Sequence, residues 1–304
     1  MLQMLIGTNI PFMKYRRFAY IFSSTLILAT IVWLLVHGGP YYSVDFTGGT
    51  LLQIRTSRVL PADQVRAALD AAGLRGVELQ QMAGANRDEF LARFKSEQQD
   101  PFPAIQRAVG SRFSGVTAEL RRKESVGPKV GSDLRRKAIW AILWSLGGIL
   151  LYVGIRYEFK FAFGAVVALF HDVLITLGFL CFTGREVSLT VLAALLTIAG
   201  YSINDTIVVF DRIRERARAL RKEKHSRAMD IAVNETLSRT VITALTVFLA
   251  ALALFIWGGE VLRDFSFAML IGVGFGTYSS VYVASALALD IWIGLDRRKG
   301  IQAE

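Results

Sequence analysis

The chain has 304 residues, is 53% hydrophobic, and carries 35 Lys and Arg against 25 Asp and Glu, a formal charge of +10. A mean hydropathy of +0.42 excludes an ordinary soluble protein and points to several membrane spans with some soluble mass. The basic excess is read as loops that fix topology, not as a nucleic-acid surface. The one cysteine, Cys181, lies in an apolar run; it excludes an intrachain disulfide and reads as a small buried hydrophobe.

Residues 1–17 end in Lys14, Arg16 and Arg17, and an apolar run follows over 18–36. That run is long for a signal h-region and no A-x-A site follows, so the sequence predicts a retained first span. Residues 37–137 are polar and long enough for a small domain. Strand-like runs at 41–46 and 50–56 flank Gly48-Gly49, and Pro61 opens a helix that Gly73 ends. Two further strands are predicted at 77–82 and 89–95, with a turn over 84–88. A second helix follows from Asp100-Pro101 to about Phe113, and a last strand spans 116–123. The order β-α-β-β-α-β predicts a ferredoxin-like split unit. Ser125–Gly131, with Gly127, Pro128 and Gly131, reads as a hinge or linker into the membrane. Five more spans are predicted at 138–155, 161–182, 187–210, 240–257 and 265–295, with a basic loop at 211–239 and a tail at 296–304.

With the N-terminus inside, seventeen of the 35 basic residues fall in internal segments, and the two short outer loops hold only Arg185 and Arg263. The other sixteen belong to 37–137, and long domains translocate largely regardless of charge. The expected fold class is a polytopic α-helical membrane protein with six transmembrane helices and one α+β ferredoxin-like extracytoplasmic domain, both termini cytoplasmic. The basic stretch 211–225 is expected to lie against anionic membrane lipid.

Asn204 and Asp205 interrupt the fourth span behind Gly200, Tyr201 and Ser202. A carboxylate at the centre of a membrane helix costs about 2.5–3.5 kcal/mol on insertion scales, so an intramembrane acid is a functional candidate. Asp205 lies 18 residues from Val187, and Arg239 lies 18 residues from Trp257, at the matching end of the next helix. At about 1.5 Å per residue both sit about 27 Å from the outer surface. Three arrangements fit this depth: a pair that protonation breaks, a static ion pair, and two snorkelling groups that never meet. The third span carries His171-Asp172 near its middle, read either as a proton relay or as a packing hydrogen bond with His171 capped by a hydroxyl. Thr197, Tyr201 and Asp205 form a polar stripe at four-residue spacing. Gly272, Gly276, Ser280 and Ala284 form a small-residue face, which reads as packing.

Four stretches, DFTGGT at 45–50, VGPKVG at 126–131, HDV at 171–173 and AGYSINDTIVVFDRIRE at 199–215, resemble the SecF family of bacterial protein-export membrane subunits, related to the RND transporters. The resemblance covers nearly the whole chain, about 14–299. It implies a SecD partner with six further spans, association with the SecYEG channel and YajC, and location in the bacterial inner membrane. It implies movement or release of unfolded preprotein on the periplasmic side at the expense of the proton-motive force, with a sodium-driven version in some members. The family's intramembrane acid falls on Asp205 and its arginine on Arg239; both act there with an Asp on SecD that this chain lacks. Asn204 and Tyr201 are then the polar surroundings of the proton pathway.

Half of a small-molecule efflux pump is a competing reading, opposed by a single soluble domain of modest size. A non-transporting scaffold is another. An enzyme is disfavoured: there is no phosphate loop, no H-E-x-x-H and no G-x-S-x-G, and no cofactor or nucleic-acid partner is expected.

Overall fold

The computed structural model describes residues 7–74, 77–82, 88–94 and 100–298, with the backbone alone at 128, 260 and 261. The turn expected at 84–87, Lys95 and Lys299 lie outside the described residues. Contacts divide the chain into two compact units: Tyr42–Ile139, and Met1–Tyr41 with Trp140–Glu304.

In the first unit a short helix α2 (Val44–Thr47) precedes β1 (Gly49–Thr56). Then come α3 (Ala62–Ala71), β2 (Glu78–Gln81), β3 (Glu89–Phe94), α4 (Phe102–Arg112) and β4 (Ala118–Val126). The sheet order is β2-β3-β1-β4 with every neighbouring pair antiparallel, which is the ferredoxin-like arrangement the element order predicts. Leu52, Val65, Leu69, Phe90, Ile105 and Val109 meet in its core, where apolar burial supplies the stabilisation at about 25 cal/mol per Å².

Two expectations need correction here. Residues 41–46 are not a strand. Ser43 caps α2 by accepting the Asp45 N–H, and this local bond outweighs the β-propensity of Val and Phe. Nor is Ser125–Gly131 a linker outside the regular elements. Strand β4 runs to Val126 and helix α5 (Pro128–Arg156) begins after Gly127 alone. Proline at the first helical position sacrifices no hydrogen bond, and the Gly127 carbonyl accepts the first helical one, from Gly131. Gly131 permits a close approach, since a Cβ there would lie 2.9 Å from the Gly48 nitrogen. Gly48 and Gly49 both take positive φ, 71° and 111°, a conformation a side chain would strain.

The second unit holds a 3₁₀ turn at Phe12–Tyr15, α1 (Arg16–His37), the greater part of α5, α6 (Phe159–Phe182), α7 (Leu189–Ala219) and α8 (His225–Trp257). It ends with α9 (Gly259–Ser279), a π-helical turn at Ser280–Ala284 and α10 (Ser285–Arg298). Among the described residues, six helical stretches are long and apolar enough to cross a membrane: 12–37, 129–156, 159–182, 189–219, 225–257 and 262–298. The predicted loop 211–239 is mostly helix. It contains no Gly or Pro, and Glu235 binds both Arg212 (2.7 Å) and Arg216 (2.6 Å) across the α7–α8 hairpin. A helix does not stop where polarity changes; it stops where the backbone is given a reason.

Candidate functional site

Helices α6, α7 and α9 pack against one another, and the polar groups of the bundle collect where they meet. Asp205 on α7 is 6% exposed. Its Oδ1 accepts from the Thr240 hydroxyl and its Oδ2 from the Ser280 hydroxyl, both at 2.8 Å. Hydrogen bonds to a charged acceptor contribute about 1.5–3 kcal/mol each. Two of them, about 3–6 kcal/mol together, cover the roughly 2.5–3.5 kcal/mol insertion cost of the acid, so this carboxylate is held without a cation in contact.

Arg239 makes no ion pair with Asp205 among the described residues, and Arg239 is exposed. Consecutive residues on a helix point about 100° apart, so when Thr240 faces Asp205, Arg239 faces outward. Asn204, beside Asp205 in sequence, is turned to the chain's surface for the same reason. The Tyr201 hydroxyl lies on the buried side near Thr243, and among the described residues neither it nor the buried Thr206 hydroxyl has a hydrogen-bond partner. Thr197, expected to extend the polar stripe, bonds to its own helix at the Ala193 carbonyl and is exposed.

Asp172 on α6 is 0% exposed. Its Oδ1 meets His171 Nδ1 at 2.8 Å, and its Oδ2 accepts from Ser202 at 2.5 Å and Ser279 at 2.7 Å. His171 Nε2 reaches Ser23 on α1 at 2.9 Å. The two acids are thus served by adjacent serines of one helix, Ser279 for Asp172 and Ser280 for Asp205. The same 100° step that separates Arg239 from Asp205 lets α9 address α6 and α7 at once. The π turn begins at Ser280, where the Ser285 hydroxyl donates to the Ser280 carbonyl at 2.8 Å. Such turns are often found at functional sites.

Sequence reasoning missed Ser23, Ser202, Thr240 and Ser279, and read Ser280 only as a packing residue. The available signal was a set of hydroxyls in apolar helices, with Ser280 inside the small-residue face. That face does pack: a Cβ on Gly272 would meet Ile198 at 2.3 Å. Pro128 and Gly131 belong to the start of α5, and Gly127 is the one residue between β4 and α5.

The family model described as protein export membrane protein SecD/SecF, C-terminal, matches residues 107–293, and the SecD/SecF GG motif matches residues 33–58. The chain belongs to the SecD/SecF family. Among SecD/SecF relatives, the protein translocase subunit SecF of Thermodesulfovibrio yellowstonii is 40% identical over 95% of this chain and 97% of its own. SecF of Vibrio alginolyticus is 43% identical over 94% and 90%, and SecF of Pseudomonas aeruginosa 42% identical over 95% and 93%. The crystal structure of SecDF from Thermus thermophilus, a translocon-associated membrane protein, superposes with a TM-score of 0.84 at 38% identity. That match covers 95% of this chain and 39% of the SecDF chain, so this chain corresponds to well under half of it.

Proposed function

We propose that this chain is a subunit of a protein translocase that works with a SecD partner in the bacterial inner membrane, with both termini cytoplasmic and residues 42–139 outside. It draws on the proton-motive force to promote passage and release of preprotein, in association with SecYEG and YajC. The observation that carries the reading is Asp205: a carboxylate buried in a membrane bundle and held by two neutral hydroxyls. Such a group can take up and release a proton without breaking an ion pair. Arg239 and Asn204, exposed on this chain, are then the groups available to a partner's side chains, while Tyr201 lines the buried approach. Protonation exchanges an acceptor for a donor at Asp205, which biases the packing of α7 against α8 and the π turn, the kind of two-state element through which a proton does work.

The test is preprotein translocation into inverted inner-membrane vesicles with an imposed proton gradient. Asp205→Asn keeps the size of the side chain and, like the protonated acid, places a donor where one carboxylate oxygen accepts. The variant should still co-purify with the partner yet lose all stimulation by the gradient. Stimulation equal to wild type would refute the assignment, and stimulation that follows sodium instead would replace the ion.

A further inference from the structure

The polar chain on the far side of Asp172 has a proton count that does not close for an ordinary neutral histidine. Four groups lie in line. His171 Nε2 meets the Ser23 hydroxyl at 2.9 Å, Ser23 meets the Tyr278 hydroxyl at 3.1 Å, and Tyr278 donates to the Ala19 carbonyl at 3.0 Å. Each of these three contacts needs one hydrogen. Ser23 and Tyr278 supply one each. The third has to come from Nε2. On the other side of the ring, Nδ1 faces Asp172 Oδ1 at 2.8 Å, and that contact needs a hydrogen as well. Asp172 Oδ2 accepts from Ser202 and Ser279.

We propose that His171 and Asp172 form a second proton-binding site, and that the arrangement seen is its loaded state. All four contacts are filled only when the pair carries two protons, as imidazolium beside carboxylate or as imidazole beside carboxylic acid. When one proton leaves, three hydrogens remain for four contacts. Keeping Nδ1–H on Asp172 makes Nε2 an acceptor, so Ser23 turns to donate to it and Tyr278 turns to donate to Ser23. The Tyr278 oxygen then faces the Ala19 carbonyl with no hydrogen between them. Discharge therefore releases the Tyr278–Ala19 bond that joins α9 to α1.

Ionisable groups on the surrounding helices do not supply the missing hydrogen. On α1, Arg16 and Tyr20 both bind Asp290 of α10. On α7 the acid is Asp205, held by Ser280. On α9 the titratable group beside Ser279 is Tyr278, already counted; Arg263 and Asp264 lie about four turns away along the helix. Ser279 and Ser280 connect the new site to Asp205 through neighbouring residues, so a change in the Asp172 contact is felt at the residue that opens the π turn.

The site deepens the functional reading above, and its part in translocation rests on that reading; its protonation can be tested separately. The chain has three histidines, His37, His171 and His225. Nitrogen-15 magnetic resonance of the histidine-labelled full chain in lipid bilayers at pH 7, with His171→Gln to assign the signal, reports each ring nitrogen. The loaded site predicts either two protonated nitrogens on His171, or a single protonated nitrogen at Nε2 with Nδ1 accepting from a protonated Asp172 carboxyl, which carbon-13 labelling of the aspartates reads in the same sample. Ser23→Ala removes the acceptor for Nε2–H, and its spectrum should move to a single protonated nitrogen at Nδ1. Tertiary structure is checked by thermal unfolding of the same sample. A wild-type ring protonated at Nδ1 alone overturns the proposal, as does a Ser23→Ala spectrum unchanged from wild type in a folded sample. If Asp205→Asn proved harmless to translocation while His171 behaved as stated, the function would be wrong and the site would stand.

Discussion

Gly164 gives the sharpest test of how the π turn is seated. A Cβ added there would lie 2.6 Å from the Ala284 carbonyl oxygen, 3.4 Å from its carbon and 3.5 Å from the Ala288 nitrogen. All three are backbone atoms, so no side-chain rotation can relieve the clash. Non-bonded carbon contacts settle at roughly 3.5–4.0 Å, so α6 must retreat from the turn by about 1 Å. Overpacking of this kind costs about 1–3 kcal/mol. The change from Gly to Ala recovers at most about 1 kcal/mol through helix propensity, so the net effect of Gly164→Ala is destabilising. For a bundle of this size the midpoint of thermal unfolding should fall by roughly 2–8 °C. Tryptophan fluorescence of the purified chain in detergent reads it. Gly274→Ala is the internal control, because a Cβ there meets nothing within 4 Å; its midpoint should stay level or rise. An unchanged midpoint for Gly164→Ala, or an equal fall for both variants, would refute the packing described for α6 and the turn.

In the α+β unit, Phe90 is 1% exposed. Phe90→Ala should cost about 3–5 kcal/mol, seen as faster protease cutting within residues 42–139 of the full chain. Asp88 accepts from Arg55 at 2.7 Å, and that bond holds its carboxyl below the usual carboxylate range. A depressed folded value contributes stability above the ordinary value of about 3.9 and loses it as pH falls through the folded value. Hydrogen exchange in β1 and β3 should therefore be faster in Asp88→Asn than in wild type near neutrality, and the two should converge in strong acid. Glu235 binds Arg212 and Arg216 while half exposed. Glu235→Ala should cost under ~1 kcal/mol, and the difference in unfolding midpoint from wild type should vanish in high salt.

Hydropathy and turn residues made the six spans and the β-α-β-β-α-β order legible, because both are one-dimensional signals. Gly73 ends α3 with a φ of 84°, as its position after the periodic run implies. Helix ends were less legible. Helix α7 runs nine residues past Phe210 and α8 starts at His225, since hydropathy marks where a helix could leave lipid and not where its backbone bonds stop. The 41–46 error has a similar cause: the propensities of Val44 and Phe46 were weighed, and the single hydroxyl of Ser43 was not.

The site itself depended on a quantity that neither composition nor spacing along one helix contains. Counting residues from the helix ends puts Asp205 and Arg239 at one depth, which leaves a pair and two groups that never meet equally open. Depth fixes one coordinate of a side chain on a helix, and the azimuth fixes whether two groups meet. The neighbours of Arg239 in sequence, Ser238 and Thr240, lie within one residue of its depth and are each turned about 100° from it. Thr240 is the one that reaches Asp205. The same reasoning explains why Ser279 and Ser280 were invisible. A Ser-Ser pair in an apolar helix looks like a place where helices approach closely, and Gly272 and Gly276 on the same face strengthen that impression. Close approach and chemistry are one arrangement here. Small residues bring α9 near enough to α6 and α7 for short hydroxyls to reach two carboxylates on different helices, a distance a larger residue on that face would open.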